Sequence, residues 1–331
     1  MSFQQDYPVL TVRPYQLLCL VCSLGADDSV PADPRLRDLL AKIRSNPEMP
    51  VALRCNVDDQ FAYQSPGTAD DTGEGAEFNR KRDMDILLRL DLAPGSILPA
   101  RVLLGRLLKV ISSVSGLCGY GSVTSGAWAG CSLAQSGRYE KGHAKGIQAI
   151  IPARSPAEMK RDKEASLKDL YGAEVLKIRP HILVCAIAQY GDGIRPPFEP
   201  DNLPEMIQFI LKNPDKPITL VSGADWMMCA SCASRVAQSN TCVCGQMHSG
   251  GLYNEMKDLN VLQALGLTFG SILKAKELFK LIFERIHKTA GICALDHGIA
   301  DLSVWRDGCG RNLAPCPGYE KGRELLMKSF G

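Results

Sequence analysis

Four cysteines stand close together in the second half of the chain, in the spacing Cys-x2-Cys-x9-Cys-x-Cys: Cys229, Cys232, Cys242 and Cys244. Thiolates are soft metal ligands, and a close pair can fix two corners of a tetrahedral site while a returning loop supplies the other two. The spacing therefore predicts a metal site. The final Cys-x-Cys departs from the two Cys-x2-Cys knuckles of a zinc ribbon, and ferredoxin runs do not match the spacing either. The spacing therefore leaves the metal open between an iron–sulfur cluster, which we expect as the 4Fe–4S type, and zinc as the alternative.

The thirteen cysteines are the one unusual feature of the composition. The 331 residues are 45% hydrophobic and 22% charged, which is typical of a globular protein, and the formal net charge is only +2. Lysine and arginine form no stripe with interleaved aromatic residues, so we expect no nucleic-acid partner. No apolar run approaches the roughly 20 residues that cross a bilayer, so we expect no membrane association.

The meaning of so many cysteines depends on the redox compartment. Residues 17–25 are an apolar run after Arg13 that could pass for the core of a short signal peptide. A similar run follows Arg179-Pro180 in mid-chain, where no signal peptide can act. We therefore expect a protein of the reducing cytoplasm, where clustered cysteines more often bind metal than form disulfides. The expected partner is another redox protein, and the sequence leaves the oligomeric state open.

The second half of the chain repeats the first in order. Cys19 matches Cys185 at an offset of 166 residues, Cys118 matches Cys293 at 175, and the tetrapeptide Tyr-Glu-Lys-Gly at Tyr139 recurs 180 residues later. An ordered series of matches with a rising offset indicates an internal duplication. We predict three parts: a degenerate repeat without the cysteine loop over 1–142, a charged connector over 143–177 and a metal-binding repeat over 178–331.

The first repeat acts as an internal control for the cysteine loop. It has Ala62 and Ser65 at the positions of the close cysteine pair, yet it keeps cysteines where the second repeat has Cys185, Cys293 and Cys309. Cys185 and Cys293 are therefore alternate ligands of the predicted site, or buried small apolar residues. The Tyr-Glu-Lys-Gly tetrapeptide carries no chemistry that we can assign, and we interpret it as packing at a helix end.

The elements that must position these cysteines predict a helix-rich α+β fold. Each repeat is predicted as a small βαβ unit followed by two helices, with a right-handed crossover. The apolar runs that contain Cys19 and Cys185 are predicted as strands. A helix follows in the first repeat, with Asp33 as its N-cap and Pro34 at its first position. Val51–Leu53 is then the second strand.

The second repeat resembles an uncharacterised prokaryotic family known only as domain of unknown function 1284. The resemblance rests on Arg179-Pro-His-Ile-Leu-Val-Cys185, on Gly223-x-Asp225 before the close cysteine pair, on Leu265-Gly-Leu267 and on Cys293. It covers about residues 178–316 and, more faintly, 12–142. Ile182 stands where the family has a second histidine. The resemblance implies an iron–sulfur centre.

Two other functions are compatible with the same residues. The four loop cysteines would equally serve a zinc-stapled interaction module without chemistry. The third hypothesis is that the protein is an enzyme. It would use a cluster with an open iron site, or the Cys185 thiol as a nucleophile with His181 and Asp225 beside it, since a reactive thiol needs a base and an orienting group.

Overall fold

A computed structural model describes residues 9–26, 31–55, 75–193, 201–236, 241–242, 252–293 and 316–330. The chain divides into two compact units, Met1–Ala153 and Arg154–Gly331. Each unit has a small mixed sheet surrounded by helices, and the predicted α+β class is confirmed. The charged segment predicted as a connector falls in both units, and its helix contributes the buried Leu170 to the core of the second.

In the first unit the chain forms a three-stranded sheet of order β1-β2-β3. β1 is parallel to β2, with Leu10 opposite Val51, and β3 is antiparallel to β2. The elements are β1 Leu10–Val12, α1 Pro14–Leu24, α2 Pro34–Ser45, β2 Pro50–Leu53, α3 Ala76–Leu90, β3 Ile97–Pro99, α4 Ala100–Val110, a 3-10 turn Gly126–Trp128, α5 Arg138–Ala144 and α6 Ile147–Ile150.

The second unit repeats this plan with a sheet of order β4-β5-β8, again with one parallel and one antiparallel pair. A short antiparallel pair, β6 and β7, is added in the second unit. The elements are α7 Pro156–Gly172, β4 Leu176–Ile178, α8 Pro180–Gly191, α9 Leu203–Lys212, β5 Pro217–Leu220, α10 Trp226–Cys229, β6 Arg235–Val236, β7 Thr241–Cys242, α11 Leu252–Leu265, β8 Ile272–Lys274, α12 Ala275–Arg285, α13 Ala290–Cys293 and α14 Pro317–Phe330.

The prediction of strands at Cys19 and Cys185 is wrong, because both residues lie in helices, α1 and α8. Pro14 and Pro180 occupy the first helical position, where a missing N–H costs nothing. Most residues of both helices are buried, so their sequences lack the polar face that would reveal a helical period. The true first strands end just before the Arg-Pro dipeptides, and the parallel crossover in each unit contains two helices.

The repeated Tyr-Glu-Lys-Gly tetrapeptide packs one helix closely against another in each unit. A Cβ atom on Gly142 of α5 would lie 1.9 Å from the Val21 carbonyl oxygen of α1, and one on Gly322 of α14 would lie 1.9 Å from the Ile187 carbonyl oxygen of α8. Only glycine fits such contacts. The buried tyrosine hydroxyls that begin the tetrapeptides donate to the carbonyls of Ile111 and Ile286, at 2.6 and 2.7 Å.

Candidate metal site and buried polar centre

The close cysteine pair lies at the end of the short helix α10. Asp225 is the N-cap of this helix, and its carboxylate accepts hydrogen bonds from the backbone N–H groups of Met228, at 2.7 Å, and Arg179, at 3.2 Å. Cys229 ends the helix, and its carbonyl accepts the N–H of Cys232 at 3.0 Å. Capping and the following turn therefore fix the backbone of both cysteines.

A backbone donor faces the sulfur of Cys232. The N–H of Ser234 donates to Cys232 Sγ at 3.4 Å, and the N–H of Arg235 donates to the Cys232 carbonyl at 3.1 Å. A hydrogen bond to sulfur favours the thiolate, and such bonds tune the potential of iron–sulfur clusters. The turn after Cys232 is therefore suited to a ligating thiolate.

The hairpin of β6 and β7 returns the chain toward this turn. Arg235 of β6 lies opposite Cys242 of β7. The backbone of Cys242 thus runs beside the residue that comes three positions after Cys232. The side chain of Cys242 and all of Cys244 lie outside the described residues, so the predicted convergence of four sulfurs stays a prediction.

A partly buried arginine holds the turn that contains the cysteine pair. Arg154 Nη1 donates to the carbonyls of Ala230 and Cys232, both at 2.7 Å, and its Nη2 forms an ion pair with Asp162. The guanidinium group bridges the two turns that follow Cys229. It therefore fixes the backbone of this turn.

Arg235 adds a second guanidinium group. It is buried, it lies over the Trp226 ring at 5.3 Å, and its Nε donates to the carbonyl of Ala224 at 3.2 Å. Burial lowers the pKa of Arg235, whereas the neighbouring Cys229 acts in the opposite direction. Cys229 is thus within electrostatic reach of a buried cation, which favours its ionised form.

A second polar centre is buried at the start of α8. Asp258 of α11 is fully buried and accepts Arg179 Nε at 2.8 Å, Arg179 Nη2 at 2.7 Å and the backbone N–H of His181 at 2.9 Å. His181 Nδ1 lies 2.6 Å from the same carboxylate. Four donors thus converge on one buried carboxylate.

The protonation of this centre follows from burial and charge. Burial lowers the pKa of His181 to about 4, against the opposing effect of Asp258. Burial works to raise the pKa of Asp258, but hydrogen bonds from the His181 side chain and backbone, together with the Arg179 charge, hold it below its ordinary value. At neutral pH His181 is therefore neutral, Nδ1–H donates to Asp258, and Nε2 carries the lone pair.

The first unit contains the same centre without the histidine. Asp83 accepts Arg13 Nε at 2.7 Å and the backbone N–H of Tyr15 at 2.8 Å. Arg13 and Asp83 are both buried, and burial raises the pKa of Asp83 to about 6. The ion pair thus belongs to the duplicated fold, and the histidine to the second unit alone.

This buried centre is not among the features predicted from the sequence. Asp83 and Asp258 are separated by 175 residues, which is the offset that also relates Cys118 to Cys293. The surrounding motif Asn-x2-Arg/Lys-Asp occurs as Asn79, Arg82 and Asp83 in one unit and as Asn254, Lys257 and Asp258 in the other, and all six side chains are buried. Extending the repeat alignment to polar residues would have found it.

The predicted grouping of Cys185 with His181 and Asp225 named the wrong carboxylate. Asp225 caps α10, and the carboxylate that contacts the His181 ring is Asp258. Cys185 is four positions after His181 on α8, so the two residues share one helix face. The structure therefore supplies a histidine–carboxylate pair on the side of α8 that carries a thiol.

Cys185, Cys229 and Cys293 pack at the edge of the apolar core of the second unit. Among the residues that the structure describes, no three His, Cys, Asp or Glu side chains converge as ligands of one metal ion. No disulfide joins the cysteines whose side chains are described.

The chain matches no family model, no curated protein and no solved structure. The resemblance to the uncharacterised prokaryotic family therefore stays a prediction. In the described part of the chain, no helix is both long and apolar enough to cross a membrane.

Proposed function

We propose that the protein binds a 4Fe–4S cluster in its second unit through Cys229, Cys232, Cys242 and Cys244, and that it transfers electrons to a redox partner in the cytoplasm. The observation that carries this proposal is the polar shell of the Cys229–Cys232 turn. One sulfur accepts a backbone N–H, and two guanidinium groups, the buried Arg235 and the partly buried Arg154, lie beside the turn.

This shell suits a ligand set with excess negative charge. A cluster held by four thiolates is anionic, and hydrogen bonds and nearby charge set its potential. Arg154 and Arg235 would offset that charge, while Met227 and Met228, both buried, would exclude water on one side.

The test is the metal content of the full-length chain purified without oxygen. Replacing Cys229 and Cys232 with alanine should remove about four irons and about four acid-labile sulfides per chain. Cys55→Ala is the matched control, because Cys55 is buried in the first unit and should lose no iron. Unchanged iron in the Cys229→Ala/Cys232→Ala protein, or one tightly bound zinc in place of iron, would refute the proposal.

One observation favours a second candidate, an enzyme that acts at α8. The His181–Asp258 pair leaves Nε2 of a neutral imidazole as a base on the helix face that carries Cys185. Alkylation of Cys185 by iodoacetamide would then slow strongly in His181→Gln, and its rate would depend on pH in the wild type. Equal rates in the two proteins would leave the pair with a structural role only.

A further inference from the structure

A groove lies between α12 and α14 of the second unit. Its volume is about 470 Å³, which is in the range of pockets that hold small molecules. The buried rings of Phe283 and Phe330 line it, with centroids 6.5 Å apart, together with the half-exposed Met327. An aromatic ligand would therefore meet two rings and a thioether, and both kinds of group attract aromatic rings.

A guanidinium group is fixed at this groove. Arg323 of α14 lines it and donates from Nε and Nη2 to the carbonyl oxygen of Phe283, at 2.9 and 2.7 Å. Phe283 lies in the last turn of α12, where carbonyl groups have no partner within the helix. Among the residues that the structure describes, Nη1 of Arg323 has no hydrogen-bond partner. The guanidinium group is thus held in place while two of its N–H donors stay available.

His287 supplies a further donor beside Arg323. Its Nδ1 lies 3.2 Å from Arg323 Nη2. Because a guanidinium group can only donate, Nδ1 accepts this hydrogen bond and the imidazole ring carries its proton on Nε2. Two cations that line the groove, Lys280 and Arg323, outnumber its one carboxylate, that of Glu284. The polar part of the lining therefore favours an anion.

The first unit separates the structural role of Arg323 from a binding role. There His143 follows the same Tyr-Glu-Lys-Gly tetrapeptide, and its Nε2 lies 2.7 Å from the carbonyl oxygen of Leu108, the counterpart of Phe283. A histidine is thus sufficient to hold this helix end. The guanidinium group and the aromatic ring belong to the second unit alone, and the duplicated packing does not require them.

We infer that the groove between α12 and α14 binds an aromatic carboxylate. The ring of this ligand lies against Phe283, Met327 and Phe330. Its carboxylate accepts hydrogen bonds from Nη1 of Arg323 and from Nε2 of His287, because charge-assisted bonds of this kind are the strong ones. Binding is non-covalent and uses none of the cysteines of the proposed metal site.

The experiment measures the binding of naphthoate to the full-length chain by isothermal titration calorimetry. Naphthamide is the uncharged analogue of the same shape, and decanoate is an aliphatic carboxylate. The wild type should bind one naphthoate with a Kd of about 1 mM or below. It should bind naphthamide about tenfold more weakly, because the charge-assisted bonds are lost, and decanoate also more weakly than naphthoate.

Two substitutions in the groove locate the site. Met327→Glu adds a negative charge to the lining and should weaken naphthoate binding by about tenfold or more. Leu325→Glu is the matched control, because Leu325 is 41% exposed on the same helix and does not line the groove; it should leave the affinity unchanged. Arg323→His introduces the residue of the first unit and should weaken the binding of naphthoate by about tenfold while that of naphthamide stays the same.

The absence of saturable naphthoate binding to the wild type would overturn the inference, as would equal affinities of Met327→Glu and Leu325→Glu. Naphthamide or decanoate binding more tightly than naphthoate would overturn the assigned ligand class. If circular dichroism shows that Arg323→His fails to fold, the two glutamate variants decide, since both replace exposed residues. These variants keep every predicted metal ligand, so their iron content reports separately on the proposed function.

Discussion

Replacing Asp258 with asparagine should destabilise the second unit strongly without changing the size of the side chain. Asp258 is fully buried, and Arg179, its partner, is 2% exposed. The carboxylate accepts two contacts from the guanidinium group, at 2.7 and 2.8 Å, and two from His181. An asparagine can still accept from the His181 backbone, but its amide N–H₂ group would face the donors of Arg179.

The cost follows from the charge that the substitution leaves behind. Removing one partner of a buried ion pair costs about 3–5 kcal/mol, because the other charge stays buried with less compensation. Arg179 would keep its ion pair with Glu255 at 3.4 Å, so we expect the lower part of this range. With a urea dependence of about 2 kcal/mol per molar, the range corresponds to a fall of roughly 1.5–2.5 M in the unfolding midpoint of the second unit, and we expect its lower end. The double variant Arg179→Met/Asp258→Leu should recover much of this loss, because it leaves no buried charge behind.

The assay is urea-induced unfolding of metal-free protein, followed by circular dichroism and by tryptophan fluorescence. Asp83→Asn makes the equivalent change in the first unit and should produce a smaller loss, because burial raises the pKa of Asp83 to about 6 and makes its ionised form less stable than that of Asp258. If Asp258→Asn lowers the free energy of unfolding by less than about 1 kcal/mol, the Arg179–Asp258 ion pair does not stabilise the second unit as we conclude.

Three further predictions follow from the packing and the charges of the second unit. Gly322→Ala should lower the free energy of unfolding by about 2 kcal/mol or more, because the added Cβ would lie 1.9 Å from the Ile187 carbonyl oxygen, whereas ordinary contact needs about 3.3 Å. The control is Gly172→Ala, because a Cβ at that position would have open space around it. Urea unfolding should show that this control is neutral or slightly stabilising. The pKa of His181 is lowered to about 4 in the folded state, so wild-type stability should fall as pH drops from about 6.5 to about 4, by up to about 3 kcal/mol. His181→Tyr places there the residue that the first unit has, and an unchanged pH profile in that variant would contradict the assignment. Arg235→Met should shift the midpoint potential of the bound cluster downward while iron content stays the same, as measured by anaerobic redox titration; an unchanged potential would count against a charge role for this arginine.

Much of the fold follows from local signals in the sequence. The helix that begins at Pro34 is confirmed, and its predicted cap Asp33 accepts the N–H of Arg35 at 2.8 Å. The second strand, predicted as Val51–Leu53, is also confirmed within one residue. A helix cap is a local feature, so it can be recognised without tertiary structure.

The two central helices could not be recognised in the same way. α1 and α8 are enclosed by the core on most sides, and a helix that is apolar all round has no polar face to set a period. The Arg-Pro dipeptide was the available signal, because proline is favoured at the first position of a helix. The apolar runs that follow these dipeptides instead favoured the prediction of strands at Cys19 and Cys185.

The polar centre depends on contacts that a single sequence does not display. His181 and Asp258 are 77 positions apart, and the fold alone makes them partners. Asp225, which lies nearer to the cysteine pair in the sequence, is used as a helix cap. Of the candidate metal site, the structure describes the turn of Cys229 and Cys232 and the backbone of Cys242 opposite Arg235, and the metal site itself stays a prediction.

The measurement that bears most directly on the metal proposal is iron and acid-labile sulfide analysis of the wild-type chain prepared without oxygen, together with its visible spectrum. The proposal predicts a brown protein with a broad visible band that dithionite bleaches, and iron and sulfide in equal amounts. A colourless chain that takes up neither iron nor sulfide on reconstitution, and instead holds one zinc ion, would contradict it.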